Sequence, residues 1–132
     1  MRASVSRNSA GVRADLAFWS ELAGGDENSG RDLVALFLAT TADQISAMVS
    51  GLTAANTDAV SRAAHSCVSS CSTCGLEGLA RMFRRVEREA LERRLDALSH
   101  TIPLIVEIFD EVRTHLSQLL ATSASASAEE PA

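Results

Sequence analysis

One short run of the chain collects residue types that bind metal ions. His65, Cys67, Cys71 and Cys74 follow one another in the order H-x-C-x3-C-x2-C. If this run were a loop, its imidazole and three thiolates could converge on one ion, as they do in structural zinc sites. If it is a helix, the side chains point in different directions and cannot converge. The geometry of the run therefore decides which chemistry it can carry out.

The spacing of small and apolar residues around this run predicts a helix. These positions recur every three or four residues: Val60, Ala63, Ala64, Cys67, Cys71 and Cys74. At about 100° per residue, the three Cys lie within roughly 60° of one another, and His65 points about 160° away from Cys67. Four such side chains cannot all reach a point about 2.3 Å away, as a tetrahedral zinc requires. We therefore expect no metal site and three Cys that pack in the core as small apolar residues.

The same geometry excludes a disulfide between Cys67 and Cys71. Residues four apart on a helix, such as Cys67 and Cys71, have Cβ atoms about 5–6 Å apart. A disulfide needs a separation of about 3.5–4.5 Å. We expect the thiols to be free, which fits a reducing compartment.

The face that carries His65 is predicted to be exposed. It also carries a small set of mostly short side chains: Ser61, Arg62, Val68, Ser69 and Ser72. No Asp, Glu or Cys stands one turn from His65 on this helix, so the sequence gives no support for a catalytic triad. The small neighbours leave room for another protein to approach the imidazole closely.

The other two histidines have no ligand-like neighbours. His100 is expected in a turn, and His115 is expected near the core rim.

Length and composition limit the class of protein. The 132 residues are enough for one domain with a single core. All 12 basic residues are Arg, against 17 acidic residues, and the net charge of −5 argues against nucleic acid as a partner. Residues 1–10 lack the apolar stretch of a signal peptide. No contiguous apolar run approaches the roughly 20 residues that span a membrane. We therefore expect a cytoplasmic location.

Helices are the only elements that the sequence predicts. The aromatic content is 4%, Tyr is absent, and no convincing alternation suggests a strand. A short first helix is expected over residues 11–23, ended by Gly24-Gly25-Asp26. A long second helix is expected to start at Ser29, whose hydroxyl can cap it. Its core-facing stripe has helical spacing: Val34, Phe37, Thr41, Ile45, Met48 and Leu52.

Three further helices complete the prediction. The third opens at Asn56 or Thr57 and ends at Gly75, where a glycine suits a helix C-terminus. The fourth closes near Leu95. Pro103 is placed in the first turn of the last helix, where its missing N–H costs nothing.

Four long amphipathic helices with short turns predict an all-α fold. The expected architecture is an antiparallel, up-down four-helix bundle with a short additional N-terminal helix. The bundle is expected to cover residues 11–121. A flexible N-terminus is expected over residues 1–10, and a disordered Ser/Ala-rich tail over residues 122–132.

The residues that follow His65 form a second pattern. Ala64 precedes it, Cys74-Gly75 stand nine and ten positions beyond it, Leu79 stands at fourteen, and Val86-Glu87 at twenty-one and twenty-two. This pattern resembles the signature of His-containing phosphotransfer (HPt) domains. Two further segments look like the loop before the first long helix of that family and a run within it: Ala23-Gly24-Gly25-Asp26 and Leu36-Phe37-Leu38.

The resemblance implies a function for the exposed imidazole. His65 is the expected phosphorylation site, with Arg62, Val68, Ser69 and Ser72 as the surface on which a partner docks. The implied partners are the receiver domains of a hybrid histidine kinase, of response regulators, or of both. The chain would be a monomeric phosphocarrier rather than a multiple-turnover enzyme. It would need no cofactor of its own, since the Mg²⁺ belongs to the receiver.

The chain departs from the family at two positions on this surface. The family usually has Lys three residues after the His, where this chain has Val68, and Gly four residues after it, where this chain has Ser69. Ser69 is small enough to substitute for Gly, but Val68 carries no charge. Arg62, one turn before His65, is the best local candidate for the missing cation. The arginines of the fourth helix are expected to form a solvated face: Arg81, Arg84, Arg85 and Arg88.

Three other functions stay open at the level of sequence. The first is an HPt-like bundle that has lost phosphotransfer and serves as an interaction module for a receiver or kinase domain. The missing Lys and Gly favour it, and the retained His65 opposes it. The second is a helical bundle with no relay role. The third is a metal-binding regulator.

Overall fold

The chain is helical throughout the part that the structure describes. The computed structural model describes residues 16–129, with side chains for residues 16–121. It contains five helices in this range: α1 (Leu16–Leu22), α2 (Glu27–Thr53), α3 (Thr57–Thr73), α4 (Glu77–Leu91) and α5 (Leu95–Glu129). No strand occurs among these residues. The all-α prediction is confirmed. The flexible segment 1–10 and the start expected for the first helix lie outside the described residues.

Successive helices pack against one another. Helix α1 lies on α2, α3 packs between α2 and α4, and α5 contacts both α4 and α2. The stripe predicted for α2 is buried from Val34 to Met48, and Leu52 is half-buried. Trp19 of α1 is fully buried against the ring of Phe37, with 5.9 Å between the ring centroids. Every helix therefore contributes to one common core.

The ends of α3 are set by its cap residues. Asn56 accepts a hydrogen bond from the Ala59 N–H at 3.1 Å, as expected of an N-cap residue. Gly75 has φ +77°, and the Leu76 N–H donates to the Cys71 carbonyl at 2.8 Å. These features form a Schellman C-terminus, which glycine adopts without strain. The predicted bounds of α3 are confirmed.

The start of α2 was predicted wrongly. The helix begins at Glu27 rather than at Ser29, because Asp26 is the N-cap residue and its carboxylate accepts the Ser29 N–H at 3.0 Å. Asp and Ser are comparable N-cap residues, so the sequence offered two starts three residues apart.

The position of Pro103 was also predicted wrongly. Helix α4 ends at Leu91, and α5 starts at Leu95, so Pro103 and His100 lie inside α5. The chain reverses at Arg93, which has φ +58°, and the Arg94 N–H donates to the Glu89 carbonyl at 2.9 Å. This is the same helix ending as at Gly75, without a glycine to mark it. Pro103 is exposed, and it has no N–H to donate to the carbonyl one turn earlier.

Helix α5 extends further than expected. It continues to Glu129, across most of the segment for which the sequence suggests disorder from Thr122. No glycine or proline stands between Pro103 and Pro131, and Ala is the best helix former, so nothing in the sequence ends the helix earlier. Residues 130–132 lie outside the described range.

Among the described residues, helix α2 is long and apolar enough to cross a membrane by length and composition alone. Its most apolar 18-residue window has a mean hydropathy of 1.5, although its contiguous apolar runs are shorter than the roughly 20 residues that span a membrane. The core helix of a bundle can be equally long and apolar, and α2 places four apolar side chains in the core: Val34, Phe37, Ile45 and Met48. Composition alone therefore does not assign α2 to a membrane.

Candidate functional site

Helix α3 separates the residues of the H-x-C-x3-C-x2-C run into two sets. Cys67, Cys71 and Cys74 are buried, free thiols within the common core. His65 faces the other way, and 69% of its side chain is exposed. The prediction that His65 and the three Cys face opposite sides of the helix is confirmed. In the part of the chain that the structure describes, no three His, Cys, Asp or Glu side chains are grouped to hold a metal ion.

Burial makes the three thiols weak acids. Desolvation raises the pKa of the Cys67 thiol to about 12. Desolvation also raises the pKa of Cys71 and that of Cys74. The neighbouring Cys67 raises the pKa of Cys71 further. A thiol that stays protonated is a poor nucleophile and a poor metal ligand. The buried set is therefore structural.

We expect the free energy of unfolding to fall as the pH rises above about 9. The thiols ionise near that pH only in the unfolded chain, so above it the unfolded state binds fewer protons than the native state. Each thiol with a strongly raised pKa lowers the free energy of unfolding by about 1.4 kcal/mol per pH unit. This loss continues until the pKa of the thiol in the native state is reached, near 12 for Cys67. The chain has no Lys and no Tyr to titrate in the same range.

Urea denaturation between about pH 8 and pH 10.5 measures this loss of stability. The Cys67→Ala variant is less stable at every pH but loses stability less steeply, because one ionising thiol is gone. Unfolding free energies that stay constant over this range in the wild-type protein would contradict the effect.

Helix α4 supplies an acidic partner for His65. The Nδ1 atom of His65 lies 2.9 Å from Oε2 of Glu87, across a sequence separation of 22 residues. Val86 is fully buried and fixes this part of α4 against the core, while Glu87 lies at the edge with 25% of its side chain exposed. The sequence showed that α3 has no acid beside His65. It did not show that the next helix brings one.

This contact selects one form of the imidazole. A carboxylate can only accept a hydrogen bond, so in the neutral ring Nδ1 carries the proton and donates it to Glu87. The tautomer is assigned from this geometry. The lone pair is then on Nε2, the ring nitrogen that is not engaged by Glu87. An exposed imidazole held in this form is suited to nucleophilic attack by Nε2.

The structure places the remaining predicted site residues around His65 in different environments. Arg62 and Ser69 are exposed, Ser72 is intermediate, and Val68 is half-buried against the core. Arg84 of α4 donates from Nη2 to the Ser72 Oγ at 3.3 Å. The arginines of α4 are exposed, as expected of a solvated face, but Arg84 also reaches across to the helix that carries His65.

An open apolar groove lies between α2 and α3. It borders the exposed face of α3 on the side of α2, whereas Glu87 and Arg84 approach this face from α4. Its volume is about 410 Å³. Ser66 and Ser69 form the wall nearest His65, and Leu36, which is 63% exposed, forms part of the opposite wall. An exposed apolar groove beside a reactive side chain is typical of a protein-docking surface.

Comparison with known proteins agrees with this geometry. The sequence model of the Hpt domain family matches residues 32–122, which include the four long helices in whole or in part and the whole His65 site. Neither the curated proteins nor the solved structures include a significant match to the chain. Since the matched region covers more than half of the sequence, the chain belongs to the Hpt domain family, whose members carry out histidine phosphotransfer in phosphorelays.

Proposed function

We propose that this chain is a phosphocarrier that receives a phosphoryl group on His65 and passes it on. The donor is the aspartyl phosphate of a receiver domain, and the acceptor is the aspartate of another. The observation that supports this role best is the exposed imidazole whose Nδ1 is held by Glu87 at 2.9 Å. That contact leaves Nε2 free to react.

The transfer needs little chemistry from this chain. The Nε2 lone pair attacks phosphorus in line, the Nε2–P bond forms, and the P–O bond to the aspartate breaks, with its electron pair leaving on the aspartate carboxylate. The proton on Nδ1 stays in place, so the ring acquires positive charge, which the Glu87 carboxylate stabilises. The same steps in reverse transfer the group to the next receiver. Positioning and charge neutralisation account for most of the rate in such reactions.

The expected partner docks on the face around His65. We infer that it contacts Arg62, Val68, Ser69 and Ser72, with the apolar groove between α2 and α3 receiving apolar side chains. The receivers belong to a hybrid histidine kinase, to response regulators, or to both, and they contribute the Mg²⁺. The chain itself holds no cofactor. We propose that it works as a cytoplasmic monomer, without nucleic acid or a membrane, in an antiparallel up-down arrangement of its four long helices.

One observation favours a second candidate function. Val68, where the family usually has a Lys, brings no charge to the phosphoryl site. A bundle that keeps the docking surface but does not carry phosphate would act as an interaction module for a receiver or kinase domain.

Incubation with phosphorylated receivers from the source organism separates these two functions. A phosphocarrier removes the phosphoryl group from a cognate receiver and becomes labelled at a site that is acid-labile and base-stable, as phosphohistidine is. Mass spectrometry then maps the phosphate to His65. An interaction module binds the same receiver, measured by calorimetry, without taking up label. Binding without transfer by every receiver tested would contradict the phosphocarrier.

A further inference from the structure

A phosphoryl group on His65 creates a local excess of negative charge. The group brings up to about two negative charges to the surface of α3. The Glu87 carboxylate already lies 2.9 Å from the same imidazole ring. Transfer to such a position is faster, and the product more stable, when a cation contacts the phosphoryl oxygens. A cation beside Nε2 would therefore stabilise the phosphoryl group against this negative charge.

Helix α3 does not supply this cation in a suitable direction. Side chains on a helix lean toward its N-terminus, so a residue three positions after His65 leans back over the imidazole. That position is held by Val68. Arg62 stands three positions before His65, so it leans away from the ring. The local candidate that the sequence favoured is therefore poorly placed.

Helix α4 carries a cation on the flank from which Glu87 reaches His65. The Arg84 guanidinium donates to the Oγ of Ser72, which lies on the same face of α3 as His65, two turns further along. Arg84 also stands three residues before Glu87, so the two side chains are neighbours on the surface of α4. Glu87 reaches the imidazole from this flank, and the Arg side chain is longer than that of Glu.

The contact between Arg84 and Ser72 leaves the guanidinium able to move. Its length of 3.3 Å is beyond the usual range for an N–H···O bond, and both residues are accessible to water. Exchanging the neutral hydroxyl for the charged oxygens of a phosphoryl group gives a stronger, charge-assisted hydrogen bond.

We propose that Arg84 is the phosphoryl-binding cation of this chain, in the place that the uncharged Val68 leaves vacant. This role rests on the proposed phosphorylation of His65. Before phosphorylation the guanidinium lies on Ser72, and afterwards it turns toward His65 and donates to the oxygens of the phosphoryl group. The cation thus comes from the neighbouring helix rather than from the helix that carries the histidine.

Phosphoramidate, a small donor that needs no receiver, provides the test. Imidazole displaces ammonia from it, so the Nε2–P bond replaces the P–N bond of the donor. We expect Arg84→Gln to label about tenfold more slowly than wild type, Arg84→Lys to recover most of the rate, and Arg81→Gln to label like wild type. Arg81 is the matched control because it removes the same charge one turn further from Glu87. The ³¹P resonance of phosphorylated His65 is also expected to shift in Arg84→Gln, while the melting temperature does not change.

The outcomes separate this role from the proposed function. If wild-type protein takes no label on His65 from phosphoramidate or from any receiver, the proposed function fails, and the role of Arg84 fails with it. If wild type is labelled, and Arg84→Gln matches Arg81→Gln in both rate and ³¹P resonance, the proposed function stands and the role of Arg84 is wrong.

Discussion

The His65→Gln variant is expected to accept no phosphoryl group from any receiver that labels the wild-type protein. The amide nitrogen of Gln has no lone pair available for attack on phosphorus, so the Nε2–P bond has no counterpart. Gln keeps the size and polarity of the side chain, and the site is exposed. Loss of the hydrogen bond to Glu87 is expected to change the free energy of unfolding by about 1 kcal/mol or less. Phosphotransfer with labelled receivers, followed by denaturing gels, measures the loss.

Two comparisons make this result specific to His65. His100→Gln changes the same residue type at an exposed position on α5, so it is expected to label at the wild-type rate. Receiver binding by His65→Gln, measured by calorimetry, is expected to stay within a few-fold of wild type, because one exposed side chain contributes a small part of a docking surface. Label that persists in His65→Gln at the wild-type level would place the phosphorylation site elsewhere.

The parts of this site that could be predicted from sequence depend on local periodicity. The division between His65 and the three Cys follows from about 100° of rotation per residue, which needs no knowledge of other helices. The burial of Cys67, Cys71 and Cys74 agrees with it. The same reasoning located the core stripe of α2, because an amphipathic helix has to bury its apolar face.

The contacts of His65 could not be predicted in this way, because they cross between helices. Glu87 meets His65 only after α3 ends at the Gly75 turn and α4 packs alongside it. Periodicity shows which side of α4 is buried, but not which residue at its edge meets a given residue of α3. The position of Glu87 in the HPt-like pattern was the one signal in the sequence that could have pointed to this contact.

The errors in the fold have a related cause. Arg93 adopts a left-handed conformation to end α4, a conformation that a glycine would have signalled. Without that signal, Pro103 is the stronger indication of a helix start, because a proline in the interior of a helix costs about 3 kcal/mol. The sequence favours Arg62 as the cation because it lies one turn from His65, whereas Arg84, which we propose for this role, approaches His65 only through the packing of α3 and α4.

The Glu87 variants are expected to show the second-largest loss of phosphotransfer. In Glu87→Ala, Nδ1 of His65 loses its acceptor, the ring turns freely, and both tautomers are populated. A carboxylate that orients a metal-bound histidine contributes about 10- to 100-fold to metal affinity or activity, and the carboxylate of a buried catalytic triad contributes much more to the rate. Since His65 and Glu87 are partly exposed, we expect the rate of labelling to fall about 10- to 100-fold in Glu87→Ala. Single-turnover transfer from a phosphorylated receiver measures this rate.

The Glu87→Gln variant separates orientation from charge. Its amide oxygen still accepts the Nδ1 proton, so the ring keeps its tautomer, but no negative charge balances the positive charge that develops on the imidazole during attack. A rate close to wild type means that Glu87 acts by orienting the ring, and a rate close to Glu87→Ala means that its charge stabilises the transition state. We expect the second result, because a neutral amide cannot replace the carboxylate as the phosphoryl group arrives.

A matched control removes the effect of net charge from this comparison. Glu92→Gln makes the same change of charge just beyond the end of α4, where Glu92 faces Arg94 at 3.9 Å rather than His65. It is expected to transfer at the wild-type rate. The same slowing in Glu92→Gln and Glu87→Gln would show that overall charge governs the encounter with the receiver. A difference between them assigns the effect to the carboxylate that lies beside Nδ1 of His65.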